Sequence, residues 1–299
     1  QILFPFSNMN MKISNVVLVA VYLFHLGTEC ESTLCVEDYH VVNNTCIACP
    51  SGQSNLAGDD SSGQDTTCDT CRITTNQELR DHVDSWIEDP SSHLCGPDIG
   101  EWEVGRVTDM SCVFCGSNST LDATRCNTNR RNFNADISKW NTASVTTLHR
   151  TFEDATSFTG DLSNWDTSRV TTLYQTFFGA TSFTGDSVSD WDTSSVTNME
   201  YTFAALSLFT GDSVTNWDTS RVTTLSRTFY KATSFTGDGV SNWDTSKVTT
   251  LSLTFEGATS FTGDGVSNWD TSSVTSLGKT FNGATSFTGD GVSNWDTSR

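Results

Sequence analysis

The stretch Trp243-Asp-Thr-Ser-Lys-Val-Thr-Thr-Leu-Ser-Leu-Thr-Phe-Glu-Gly-Ala-Thr-Ser-Phe-Thr-Gly-Asp-Gly-Val-Ser-Asn268 decides the fold, because it returns nearly unchanged along the chain. Its leading tryptophan recurs as Trp140, Trp165, Trp191, Trp217, Trp243, Trp269 and Trp295, at intervals of 25 residues once and 26 residues five times. The β-branched run Ser-x-Val-Thr-Thr-Leu predicts a short strand in each unit. Phe255, Ala258 and Phe261 follow at a spacing of three, which predicts a short helix or 3₁₀ turn, and Gly263-Asp264-Gly265 supplies the reversal. One unit cannot bury its own Trp, Val, Leu and two Phe. The copies are therefore expected to stack as coils of a repeat solenoid around a shared apolar spine.

Working toward the N-terminus, Trp102-Glu-Val-Gly-Arg-Val-Thr-Asp-Met110 matches the start of the unit, so an irregular coil is expected there, carrying Cys112, Cys115 and Cys126 in an inserted loop pinned by disulfides. Upstream of it, Thr75-Asn-Gln-Glu78 is a capping box followed by Leu79, Val83, Trp86 and Ile87 at helical spacing. That amphipathic helix is expected to cover the open end of the stack, where a terminal coil would otherwise expose apolar surface. Cys95, beside the cap, suggests a bridge to the first coil.

Working toward the surface, two pairs of positions vary most among copies. One pair is His149-Arg150, Tyr174-Gln175, Glu200-Tyr201, Ser226-Arg227, Ser252-Leu253 and Gly278-Lys279. The other is Glu153-Asp154, Phe178-Gly179, Ala204-Ala205, Tyr230-Lys231, Glu256-Gly257 and Asn282-Gly283. A partner read in a copy-specific way would meet His149, Arg150, Tyr174, Gln175, Glu200, Tyr201, Arg227, Tyr230, Lys231 and Lys279. Thr146, Thr171, Thr197, Thr223, Thr249 and Thr275 should form an exposed hydroxyl row. Two Asp rows, one after each Trp and one after each Thr-Gly, offer hard oxygen ligands, so calcium between coils is conceivable; the simpler reading is that each carboxylate caps its own turn. No other cofactor is expected.

The remaining arithmetic excludes some functions. With 16 Lys+Arg against 36 Asp+Glu, the formal charge of -20 is unsuited to nucleic acid. Catalysis needs a unique nucleophile or acid/base pair, whereas the repeats supply every coil with the same groups, and His40, His82, His93 and His149 are scattered; no enzyme is expected. Residues 1–10 read as upstream sequence and 11–29, with Lys12 and the apolar run Val16 to Phe24, as a signal peptide. Residues 30–71 read as a cysteine-rich module whose Cys30, Cys35, Cys46, Cys49, Cys68 and Cys71 form disulfides, a four-cysteine zinc site being the alternative at this spacing. The cap region then covers 72–101 and the solenoid 102–299. Asn43 and Asn118 begin glycosylation sequons. The chain stops at Arg299, five residues into a unit, so the natural product is expected to continue, and any membrane anchor would lie there.

Cys46-Ile-Ala-Cys49-Pro50-Ser51-Gly52 with its later Cys-x-x-Cys resembles the cysteine-rich modules of ephrin-receptor-like and tumour-necrosis-factor-receptor-like ectodomains. The repeat itself, Trp-Asp-Thr-Ser-x-Val-Thr-x-Leu/Met with Thr-Phe-x-x-Ala and Phe-x-x-Asp, preceded by a Thr-Asn-x-Glu-Leu helix, resembles BspA-type leucine-rich repeat surface proteins, a repeat frequent in Mycoplasma lipoproteins. The resemblance implies a leucine-rich-repeat-like solenoid, a secreted or cell-surface location and a role in adhesion or recognition of an extracellular protein or glycan. A structural cell-wall or surface-coat protein, including an ice-binding one that uses the Thr row, is the alternative.

Overall fold

A computed structural model describes residues 39–43, 45–48, 53–54, 69–70, 73–118 and 125–298. The chain divides into two units at residues 69 and 70. In the first, strands β1 (Tyr39–Val42) and β2 (Thr45–Ala48) pair antiparallel across a tight turn, with Val42 opposite Thr45. Cys46 lies in β2. The expected signal peptide and the disulfides of Cys30, Cys35, Cys46, Cys49, Cys68 and Cys71 concern residues or side chains outside those described.

The second unit is a repeat solenoid preceded by helix α1 (Asn76–Glu88). The helix starts where the capping box places it: the Thr75 hydroxyl accepts from the Glu78 N–H, and the Glu78 carboxylate accepts from the Thr75 N–H. Its apolar stripe buries Leu79 and Val83 and half-buries Trp86 and Ile87. The coils follow. Counting by their tryptophans, Trp102 opens coil 1, Trp140 coil 2 and so on to Trp269, which opens coil 7. The irregular Trp102 unit is a true coil, since Asp109 bridges Thr147 and Phe114 stacks on Phe152 at 5.2 Å.

The expected strand is reduced to one residue per coil. Asp109, Thr147, Thr172, Asn198, Thr224, Thr250 and Ser276 form successive parallel bridges. The reason lies in the flanking turns. In coil 2 the Val145 N–H donates to Thr142 O just before the bridge, and the Thr151 N–H donates to Leu148 O just after it, so little chain is left to extend. The 3₁₀ segments also fall elsewhere than expected. They occupy Asp186–Val188, Asp212–Val214, Asp238–Val240, Asp264–Val266 and Asp290–Val292, each entered through a glycine near φ +90° to +100°, whereas Phe255 to Phe261 is a chain of turns closed by the Ala258 N–H on Phe255 O and the Phe261 N–H on Ala258 O. Only glycine suits that entry. A Cβ on Gly237 would lie 2.7 Å from the Phe261 ring of the next coil as well as in the left-handed region.

Ladders of like residues hold the stack. Phe177, Phe203, Phe229 and Phe255 stack at 5.7–6.1 Å with rings nearly parallel. From Trp140 on, each indole N–H of the ladder donates to the carbonyl three residues before the previous tryptophan, for example Trp217 to Val188 O and Trp243 to Val214 O, both at 3.0 Å. Buried Thr hydroxyls do the same, Thr228 to Met199 O at 3.0 Å and Thr254 to Leu225 O at 2.9 Å. The result is one continuous core running from Ile73 on to Val274, in which every coil satisfies polar groups of its neighbour. Among the described residues, no helix is long and apolar enough to cross a membrane.

Candidate interaction surface

The two variable pairs are the central residues of two consecutive turns in every coil. In coil 2, Leu148 O accepts from the Thr151 N–H around His149-Arg150, and Phe152 O accepts from the Ala155 N–H around Glu153-Asp154. The second residue of each pair is left-handed: Arg150 and Asp154, Gln175 and Gly179, Tyr201 and Ala205, Arg227 and Lys231, Leu253 and Gly257, Lys279 and Gly283 all have positive φ. A positive φ in the second central place defines a type II turn. The alternate N–H groups reach the next coil, Arg150 to Tyr174 O at 2.9 Å and Asp154 to Phe178 O at 2.7 Å. No side chain takes part in these backbone hydrogen bonds, so the residues can vary, although the left-handed second place favours Gly.

What occupies them in coils 2 to 5 is an aromatic and ionic cluster. His149 stacks on Tyr174 at 4.9 Å. Tyr174 meets Tyr201 edge-on at 6.3 Å, Phe178 meets Tyr201 at 5.7 Å, and Tyr201 meets Tyr230 at 6.4 Å. The Arg227 guanidinium sits 5.1 Å from the Tyr201 ring centre and 3.3 Å from the Glu200 carboxylate, and Lys231 lies over Tyr230 at 5.0 Å. Burial, with the nearby Glu200 carboxylate, pushes the Tyr174 hydroxyl above its ordinary range; burial also raises Tyr201, against the opposing pull of Arg227. Both phenols are therefore neutral donors at physiological pH.

The expected contact residues thus divide. His149, Tyr174, Glu200, Tyr201, Arg227, Tyr230 and Lys231 come together, with Gln175 half-buried beside Tyr174. Lys279 is exposed on coil 7, away from the cluster. Arg150 does not face a partner: it is buried and forms an ion pair with the buried Glu153, whose other contact is the Cys115 sulfur at 3.7 Å. Phe178 joins the cluster, and its position among the variable pairs was the available signal.

The cysteines differ from expectation in part. Cys115 and Cys126 form a disulfide that closes the inserted loop. Cys112, at the left-handed place of coil 1 with φ 60°, is a buried thiol instead of a disulfide partner. Cys95 is disulfide-bonded, yet coil 1 offers it no cysteine, so the bridge to the first coil is not formed. Among the described residues, two groups bring metal-ligand atoms within 4.8 Å, His82 with His93 and Cys95, and Cys115 with Cys126 and Glu153. Their sulfurs are disulfide sulfurs and lack the thiolate charge a soft metal needs. The Asp row after the Trp caps turns: Asp218, Asp244 and Asp270 each accept from the N–H of the Ser two residues on at 2.9 Å. In the row after the Gly, Asp161 does the same with Ser163, whereas Asp186, Asp212 and Asp290 accept from the hydroxyl of the Thr two residues before them. The Thr row donates to backbone, Thr223 to Thr197 O and Thr249 to Thr223 O at 3.1 Å. Asn43 and Asn118 are exposed.

Comparison with curated proteins and with solved structures finds no match. A family model described as "Mycoplasma protein of unknown function, DUF285" matches residues 90–213 and 205–299, which takes in every coil built around the tryptophan ladder. The chain belongs to this DUF285 family of repeat proteins.

Proposed function

We propose that the protein is a secreted or cell-surface recognition and adhesion protein that binds an extracellular protein or glycan through the turn face of coils 2 to 5, without catalysis. One observation carries the reading. At places where the backbone leaves the side chain free, these four coils display His149, Tyr174, Phe178, Tyr201 and Tyr230, all half-buried. Coils 6 and 7 put Ser252, Leu253, Glu256, Gly278, Lys279 and Asn282, none of them aromatic, at the same places. Aromatic rings backed by Arg are the residue types that dominate binding energy at interfaces. Within this reading the coils are BspA-type leucine-rich repeats, residues 30–71 are a receptor-like disulfide module behind a cleaved leader, and Asn43 and Asn118 carry glycans where the host adds them. A surface-coat role using the Thr row is weaker, because those hydroxyl protons are already donated to the preceding coil.

The test is binding of the purified chain to arrays of extracellular matrix proteins and glycans. The Tyr174→Ala/Tyr201→Ala double variant is expected to lose at least about tenfold in affinity, roughly 1.4 kcal/mol, for whatever the wild type captures, while Lys279→Ala loses little. Equal capture by the double variant and the wild type would remove the proposal.

A further inference from the structure

We propose a second binding site, a carbohydrate subsite for neutral pyranose sugars, in the cleft between the C-terminal turn of α1 and the segment 125–135. The cleft has a volume of about 660 Å³, within the roughly 300–1,000 Å³ of small-molecule sites and sufficient for a disaccharide. It is separate from the turn face of coils 2 to 5.

The chemistry of its walls points to sugar. Trp86 and Phe133 line it and meet edge to face at 6.4 Å. The indole N–H of Trp86 is committed to Pro97 O at 2.9 Å, which fixes the ring and leaves its half-buried apolar surface as the wall. Asn134 is committed too: its Nδ2 donates to the Thr159 hydroxyl at 3.0 Å and its Oδ1 accepts from the Thr159 N–H at 2.8 Å. Asn129, Asn132 and Glu88 also line the cleft and are exposed, and the amides of Asn129 and Asn132 make no side-chain hydrogen bond among the described residues. A fixed aromatic wall with free amides at its rim is amphipathic in the same sense as a pyranose. The axial C–H bonds of the sugar carry slight positive charge and suit the negative face of the indole. Its equatorial hydroxyls, each donor and acceptor at once, suit amides that are also both. Glu88 and the overall charge of -20 disfavour sugars bearing carboxylate or sulfate, so the class is neutral.

The experiment is calorimetric titration of the full chain with cellobiose and with diacetylchitobiose, using sialyllactose as the anionic control. The expected result is a Kd of about 0.1–1 mM for at least one neutral disaccharide and weaker binding of the anionic one. Asn132→Ala, an exposed change that leaves packing intact, and Trp86→Ala, checked for helix content by circular dichroism, should each weaken binding at least about tenfold. Tyr174→Ala should leave it unchanged. Absence of heat with both neutral sugars overturns the proposal, as does unaltered affinity in Asn132→Ala together with Trp86→Ala. Loss of binding on Tyr174→Ala alone would also overturn it, by moving the sugar to the coil face, and would leave the adhesion reading standing.

Discussion

Arg130 grips Asp84 with two bonds, Nε to Oδ1 at 2.6 Å and Nη2 to Oδ2 at 2.8 Å, and so ties the inserted loop of coil 1 to helix α1. The guanidinium is almost wholly buried, and its Nη1 donates to Cys112 O at 2.7 Å and to Arg125 O at 2.9 Å. Beside it, the Asn76 amide donates to Asp109 O and Ser111 O, carbonyls that in other coils would face a preceding coil. Side chains thus complete the edge of the stack. Replacing Arg130 by Ala leaves a carboxylate and the carbonyls of Cys112, Arg125 and Arg80 without its donors, and should cost about 3–5 kcal/mol in urea unfolding. Lys should restore little of it, since a point charge cannot fork.

Trp217 tests the ladder. Its change to Phe removes the donor to Val188 O and opens a gap against Trp191, whose ring lies 6.2 Å away. The expected loss is about 2–4 kcal/mol. Because contacts reach only adjacent layers of the stack, hydrogen exchange should accelerate around Trp217, in coils 3 to 6, and leave coil 1 unchanged; uniform acceleration would contradict a nearest-neighbour stack.

The left-handed places make opposite predictions for two substitutions. Leu253 is half-buried at φ 60°. Leu253→Gly relieves a cost of about 1–2 kcal/mol and gives back part of it as chain entropy, for a net gain of about 0.5–1 kcal/mol. Gly237→Ala places a Cβ against the Phe261 ring at φ 102° and should lose about 2–4 kcal/mol. Thermal unfolding of both variants reads the two signs.

Acid should loosen the molecule in two stages. His93 stacks on Trp102 at 4.9 Å, His82 packs against both rings, and burial holds both histidines below their ordinary pKa, with the charge of His82 adding to the effect on His93. The unfolded chain then takes up more protons than the folded one as pH falls through about 6.5, so cap stability is complete above that pH and declines below it. Asp166, Asp218, Asp244 and Asp270 are held low by the hydroxyl and then the N–H of the following Ser. Their contribution is present above about pH 4 and is lost as pH drops further. A melting-temperature profile should therefore show an early step near pH 6, abolished in His82→Gln/His93→Gln, and a later one below pH 4 that survives.

Much of this was readable from the residues alone. The period, the inward Trp, Val, Leu and Phe, the capping box at Thr75 and the places free to vary all follow from local chemistry repeated at a fixed interval, because each copy has the same neighbours and so the same solution. The extended stretch and the 3₁₀ turns were misplaced because the left-handed residues that break the chain into turns are Arg, Gln, Tyr, Leu and Lys as well as Gly, and no composition rule marks them. Contacts across the stack were beyond the sequence for a different reason. Whether Arg150 faces outward or pairs with Glu153, whether Cys112 is bridged, and which polar atoms finish the first coil depend on the loop packed beside them, a neighbour that occurs once and leaves no period to read.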